Sequence, residues 1–267
     1  MATQPAQPRV DFLTVISVAI IAYASTDMVH EALGHGLACL LLGFRMTRIS
    51  TVALEAVSDG YLLPASGSIA NLIFGALSLW LFHRARGFNA TRYFLWLFAL
   101  LNMLNGVGYL LFSGLSNFGD WSAVIARFTP HWAWRAGLTL AGGGFYVWAV
   151  HIGAAAMRRL ADEGLVAKSD IQKLMLPSYI AGGVLMTVAA VFNPISPNLI
   201  LLSGAAASFG SSCGLINIAS MAGGQSALAA GTVSLQTLPP SRAWIIAAIP
   251  VAAIFVGLLG PGITIGK

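Results

Sequence analysis

The chain has 267 residues, 57% of them hydrophobic and only 9% charged, with a mean hydropathy of +0.80. Soluble domains carry about 25% charged residues, so this composition excludes an ordinary soluble protein. The apolar runs are continuous, which also excludes an outer-membrane barrel with its alternating segments of about 10 residues. What remains is an all-α polytopic membrane protein with six to seven transmembrane helices. The sequence pI of 9.6 does not point to nucleic acid. The basic residues sit between apolar runs, where they orient spans, and no basic-aromatic surface pattern interrupts them.

In chain order, residues 12–24 end in Ala22-Tyr23-Ala24, which mimics a signal-peptide cleavage site. The preceding Arg9 is offset by Asp11, and the apolar stretch resumes after residue 27 and runs to Leu42. The expectation is an uncleaved first span over 12–43. At 1.5 Å per residue it measures roughly 48 Å, more than the ~30 Å hydrocarbon core, so it must tilt, protrude or break. Residues 45–55, RMTRISTVALE, partly alternate polar and apolar, which predicts a short strand or hairpin after that helix. Further spans are expected at 65–83, 92–113, 133–157 and 174–192. The NPISPN break follows, then spans at 198–222 and 243–260. The last region is rich in Gly, Ala and Ser, residues that let membrane helices pack closely. That region therefore reads as a scaffold, and residues 126–267 as accessory transmembrane helices to a core in residues 1–125 whose chemistry its polar side chains carry. With the N-terminus inside, nine basic residues fall on the inner side and five on the outer, which favours that orientation. Cys39 and Cys213 both lie in apolar runs and make neither a disulfide framework nor a zinc knuckle.

Ionisable side chains inside a span are functional candidates. The first span holds four of them within nine positions: Asp27, His30, Glu31 and His35. His30-Glu31 and His35 read as H-E-x-x-G-H, one residue longer than the H-E-x-x-H of zinc proteases. On a regular helix five residues rotate about 500°, which is ~140° past a full turn, so the two imidazoles diverge. A single-turn π-bulge at Gly34 absorbs the extra residue and brings them together. The other geometry keeps the helix regular. Asp27, Glu31 and His35 then share one face at i, i+4, i+8, with Glu31 and His35 as ligands. A catalytic zinc takes three protein ligands and keeps one open position. Among the few remaining acids, Asp120 stands just beyond the third span, downstream of Asn102 and Asn105. Spans one and three run in the same direction, so Asp120 and the His30–His35 segment fall towards the same membrane face. His83, His131 and His151 stand alone and read as interfacial or packing residues.

The six residues HEALGH resemble the motif of the dipeptidyl peptidase III family, which carries the same extra residue. Across residues 12–122 the chain resembles the site-2 protease family of intramembrane zinc metalloproteases. The likeness rests on HEALGH at 30–35, on SGSIANLIFGAL at 66–77 with Gly67 and Asn71 at the family's glycine-asparagine spacing, and on LNMLNGVGYLLFSGLSNFGDW at 101–121. The departures are the extra residue in the first motif, Ser68 where the family has proline, and Gly119-Asp120 in place of Asp-Gly. The favoured orientation also runs opposite to the family's usual bacterial one. The resemblance implies a Zn2+ held by His30, His35 and Asp120, with Glu31 as general base. Asn71, Asn102 and Asn105 would orient substrate or stabilise the oxyanion. It further implies a peptide or membrane-protein substrate, and a multi-pass protein of a bacterial inner membrane with the lipid bilayer as its partner. Two other classes stay open: a non-catalytic membrane metal-binding or transport protein, and a scaffold that binds membrane segments.

Overall fold

A computed structural model describes residues 10–57, 60–194, 208–222 and 238–265. The chain folds as a helical bundle with one small sheet. Six helices are long and apolar enough to cross a membrane: Phe12–Leu41, Leu62–Arg84, Ala90–Ser116, His131–Asp162, Lys168–Val191 and Arg242–Leu259. The expected span at 198–222 is described only from residue 208, where two short helices stand, α8 (Ser208–Ser212) and α9 (Gly214–Ala222). The rest of that span, and most of the NPISPN break, lie outside the described residues.

The first long helix is built in three pieces: α1 (Phe12–Met28), a π-helical segment (Val29–Gly36) and α2 (Leu37–Leu41). Asp11 caps its start by accepting from the Thr14 backbone N–H at 2.8 Å, satisfying a donor that the first turn leaves free. The predicted hairpin forms as β1 (Arg45–Ile49) and β2 (Leu54–Val57), antiparallel, with a bulge between Met46 and Arg48. A third strand, β3 (Ile263–Thr264), pairs antiparallel to the other edge of β1, giving the order β2-β1-β3. The Arg48 guanidinium donates to the Pro261 carbonyl. The far end of the chain is thus tied to the hairpin that follows the first helix.

Helix α4 (Ala90–Ser116) lies between α1, α3 (Leu62–Arg84) and α6 (His131–Asp162). Its buried Tyr93, Trp96, Leu97, Leu100 and Leu104 recur at helical spacing. Polar atoms at this depth need internal partners. The Trp96 indole donates to the Gly153 carbonyl at 3.1 Å, and the Tyr93 hydroxyl donates to the Leu174 carbonyl of α7 (Lys168–Val191) at 2.8 Å.

Where α3 crosses the π-helical segment, the backbones nearly touch. A Cβ on Gly34 would lie 2.5 Å from the Gly67 Cα, and a Cβ on Gly67 would lie 2.6 Å from the His30 ring. The expected role of Gly34 was to permit a bulge, whereas its missing side chain also admits the neighbouring helix. Gly34→Ala should destabilise the protein by ~1–3 kcal/mol, because the obstructing atom is backbone and cannot rotate away. Thermal unfolding in detergent checks this. Gly137→Ala, with open space around its Cβ, should leave the midpoint unchanged or raise it.

Candidate metal centre

The extra residue of H-E-x-x-G-H is absorbed by a change of helix type. Between Val29 and Gly36 the backbone is π-helical, with the Leu37 N–H reaching back to the Ala32 carbonyl. In i→i+5 bonding, side chains five apart stack on one face. The His30 and His35 rings accordingly meet edge to face, 4.8 Å between centroids. The distortion spans eight residues, not the single turn expected at Gly34. A shared α-helical face of Asp27, Glu31 and His35 requires regular spacing from 27 to 35, and regular spacing ends at Met28.

The third member arrives from 90 residues away in sequence. Helix α4 ends at Asn117, which adopts the left-handed conformation (φ 54°), a common helix stop. Gly119 follows at φ 86°, a conformation that favours glycine. These two residues reverse the chain, so that Asp120 opens α5 (Asp120–Ile125) and faces back into the bundle. The next residue pins the turn, with the Trp121 indole donating to the Ser68 hydroxyl at 3.0 Å. Asp120 Oδ2 then lies 2.9 Å from His30 Nε2 and 3.3 Å from His35 Nε2.

The outer nitrogens of both rings are held by acceptors. His30 Nδ1 meets Asn71 Oδ1 at 2.6 Å, and His35 Nδ1 meets the Leu63 carbonyl at 2.8 Å. A carbonyl oxygen can only accept, so each Nδ1 carries the hydrogen and each Nε2 lone pair points to the common centre. The Asn71 amide is itself oriented: its Nδ2 donates to the Thr26 carbonyl at 3.2 Å and to Asn102 Oδ1 at 2.8 Å. Asn102 donates in turn to the Thr26 hydroxyl at 3.0 Å and to the Phe98 carbonyl at 2.8 Å. Asn71 and Asn102 are both wholly buried. They act on His30, not on the space where a substrate would lie. Asn105 stands one turn further on and lines two neighbouring cavities.

Two imidazoles and a carboxylate, with ligand atoms all within 4.8 Å of one another, form a donor set that suits zinc, and three is the ligand count of catalytic zinc sites. The outer hydrogen bonds on both histidines are the support that metal-bound imidazoles receive. The residues present therefore fit the ion. Asp120 is 22% exposed. Burial pushes its carboxyl pKa up, but His30 and His35, when also protonated at Nε2, donate to it and hold it below the usual carboxylate range.

Glu31 sits beside the triad. Its buried Oε2 has no hydrogen-bond partner among the described residues. Glu31, His35 and Asp120 line a cavity of about 310 Å3 together with Leu54, Tyr109 and Phe112. Asp27 faces a smaller cavity of about 40 Å3 that also reaches Glu31. Of the acids that follow the first span, Asp59 lies outside the described residues, and Glu55 is on the exposed side of β2. Tyr109 was missed in the sequence, although it follows Asn102 and Asn105 by seven and four residues, a spacing that puts all three near one face of α4.

No protein-family model, curated protein or solved structure matches the chain. The Asn71–His30 hydrogen bond offers a direct check on the centre. Asn71→Ala should weaken zinc affinity about 10–100-fold, the usual consequence of removing a ligand's outer support. Competition against a chromophoric chelator measures it.

Proposed function

We propose that the chain is an integral-membrane zinc metallopeptidase, acting on peptide bonds in or near the bilayer, in a bacterial inner membrane. One observation carries the reading: His30, His35 and Asp120 converge while the unpartnered Oε2 of Glu31 sits beside them on a cavity. The sequence likeness to the site-2 protease family over residues 12–122 supports it. A zinc ion held by the triad would polarise the scissile carbonyl and acidify the attacking water.

The chain's own groups supply the rest. Glu31 takes a proton from the water as its oxygen bonds to the carbonyl carbon. It then delivers that proton to the amide nitrogen as the C–N bond breaks. The outer edge of β2 has no strand partner among the described residues, and Leu54 and Ala56 line the cavity. An extended segment can be received along such an edge by main-chain hydrogen bonds. A helical membrane segment would have to unwind first, because its carbonyls are internally bonded.

The purified protein should hold about one zinc per chain by elemental analysis. Glu31→Gln should keep that zinc and lose cleavage of fluorescein-labelled casein in detergent, by at least about 10²-fold. Asp120→Ala should lose the zinc. Zinc bound in the wild type with no cleavage of casein or of apolar membrane-segment peptides would favour the metal-binding or transport reading. No zinc in metal-supplied wild type would leave a segment-binding scaffold.

A further inference from the structure

We propose that the Tyr109 hydroxyl is the hydrogen-bond donor that stabilises the oxyanion in this site, a role resting on the peptidase reading above. Negative charge builds on the scissile carbonyl oxygen as the water oxygen bonds to its carbon, and a preorganised donor there lowers the barrier. The residue types expected to supply it are asparagines, but the fold has given them other work. The side-chain nitrogens of Asn71 and Asn102 both donate within the network that reaches from Thr26 to His30. Asn105 lines the adjoining cavities and not the one that holds Asp120 and His35.

Among the side chains lining the 310 Å3 cavity, two can donate, His35 and Tyr109. The His35 Nδ1 hydrogen is engaged by the Leu63 carbonyl. Tyr109 is left, and its hydroxyl has no hydrogen-bond partner among the described residues. Its position is set by its ring, which stacks on His30 with centroids 4.6 Å apart and planes 21° from parallel. Tyr109 lines the same cavity as Glu31, His35 and Asp120, so it stands by the reacting centre. A tyrosine hydroxyl is a neutral donor through the physiological pH range. Phe112, Leu54 and Leu63 form apolar walls around the cavity, where such a hydrogen bond is stronger than in water. The proton stays on Tyr109 oxygen throughout; only its hydrogen bond strengthens as the carbonyl oxygen gains charge.

Tyr109→Phe keeps the ring and its stacking on His30 and removes the donor alone. Full-length wild type and Tyr109→Phe are compared in detergent for zinc content, casein turnover and affinity for a phosphinic pseudo-peptide with apolar side chains, a stable tetrahedral mimic. The expected result is unchanged zinc content, kcat lower by about 10²-fold with KM little altered, and a comparable loss of phosphinate affinity. Turnover and phosphinate affinity within about threefold of wild type would overturn the assignment and leave the peptidase reading intact. Loss of zinc in Tyr109→Phe would also overturn it, making the residue a structural support of His30. A wild type that binds zinc but neither cleaves casein nor binds the phosphinate would overturn both.

Discussion

Five residues separate His30 from His35, and the geometry of the whole centre depends on putting side chains at that spacing on one face. An α-helix cannot do so, and eight residues of π-helix do. Wider helical winding would be unstable if left alone in an apolar medium. Here it is held from two sides. Gly34 and Gly67 let α3 press against it with no side chain between. The closed chain of hydrogen bonds from Thr26 through Asn102 and Asn71 to His30 ties α1, α3 and α4 to one ring. A polar network buried at this depth stabilises only when every member is satisfied, and Asn71 and Asn102 meet that condition with their donors and carbonyls used within the bundle.

The rest of the fold brings two more parts to that ring pair. The turn at Asn117 and Gly119 folds Asp120 back over it, and Trp121 fastens the turn to α3 through Ser68. The Ser68 hydroxyl is itself buried and takes the indole as a specific partner. The hairpin sets Leu54 beside Glu31 on one cavity, and β3 at the far end of the chain braces that hairpin through β1 and Arg48. The C-terminal helices are therefore connected to the centre through the sheet, even though none of the three converging side chains comes from them.

Much of this was legible in the sequence because it rests on short-range rules. Apolar runs marked the six long helices to within six residues at either end. Partial alternation over 45–55 marked the hairpin. Four ionisable groups in one span marked where to look, and the five-residue spacing forced the choice between a wound-out helix and a regular one. What was hidden depends on contacts between distant segments. Two residues cannot announce themselves as β3, since a strand that short exists only because β1 offers it an edge. The length of the π-helical segment follows from the approach of Gly67, which no local pattern encodes. Asn71 and Asn102 carried a visible signal, but their partners decide what they do, and those partners are Thr26 and His30, 45 and 41 residues away from Asn71. Tyr109 looked like one more aromatic in an apolar helix until its ring was found against His30.

The most direct test of the π-helical centre is the zinc X-ray absorption spectrum of the metal-loaded protein. The structure predicts two imidazole nitrogens and one carboxylate oxygen at about 2.0–2.1 Å, with the multiple-scattering signature of both rings. A spectrum with a single imidazole would mean that His30 and His35 do not share one ion, and would contradict the arrangement on which the site is built.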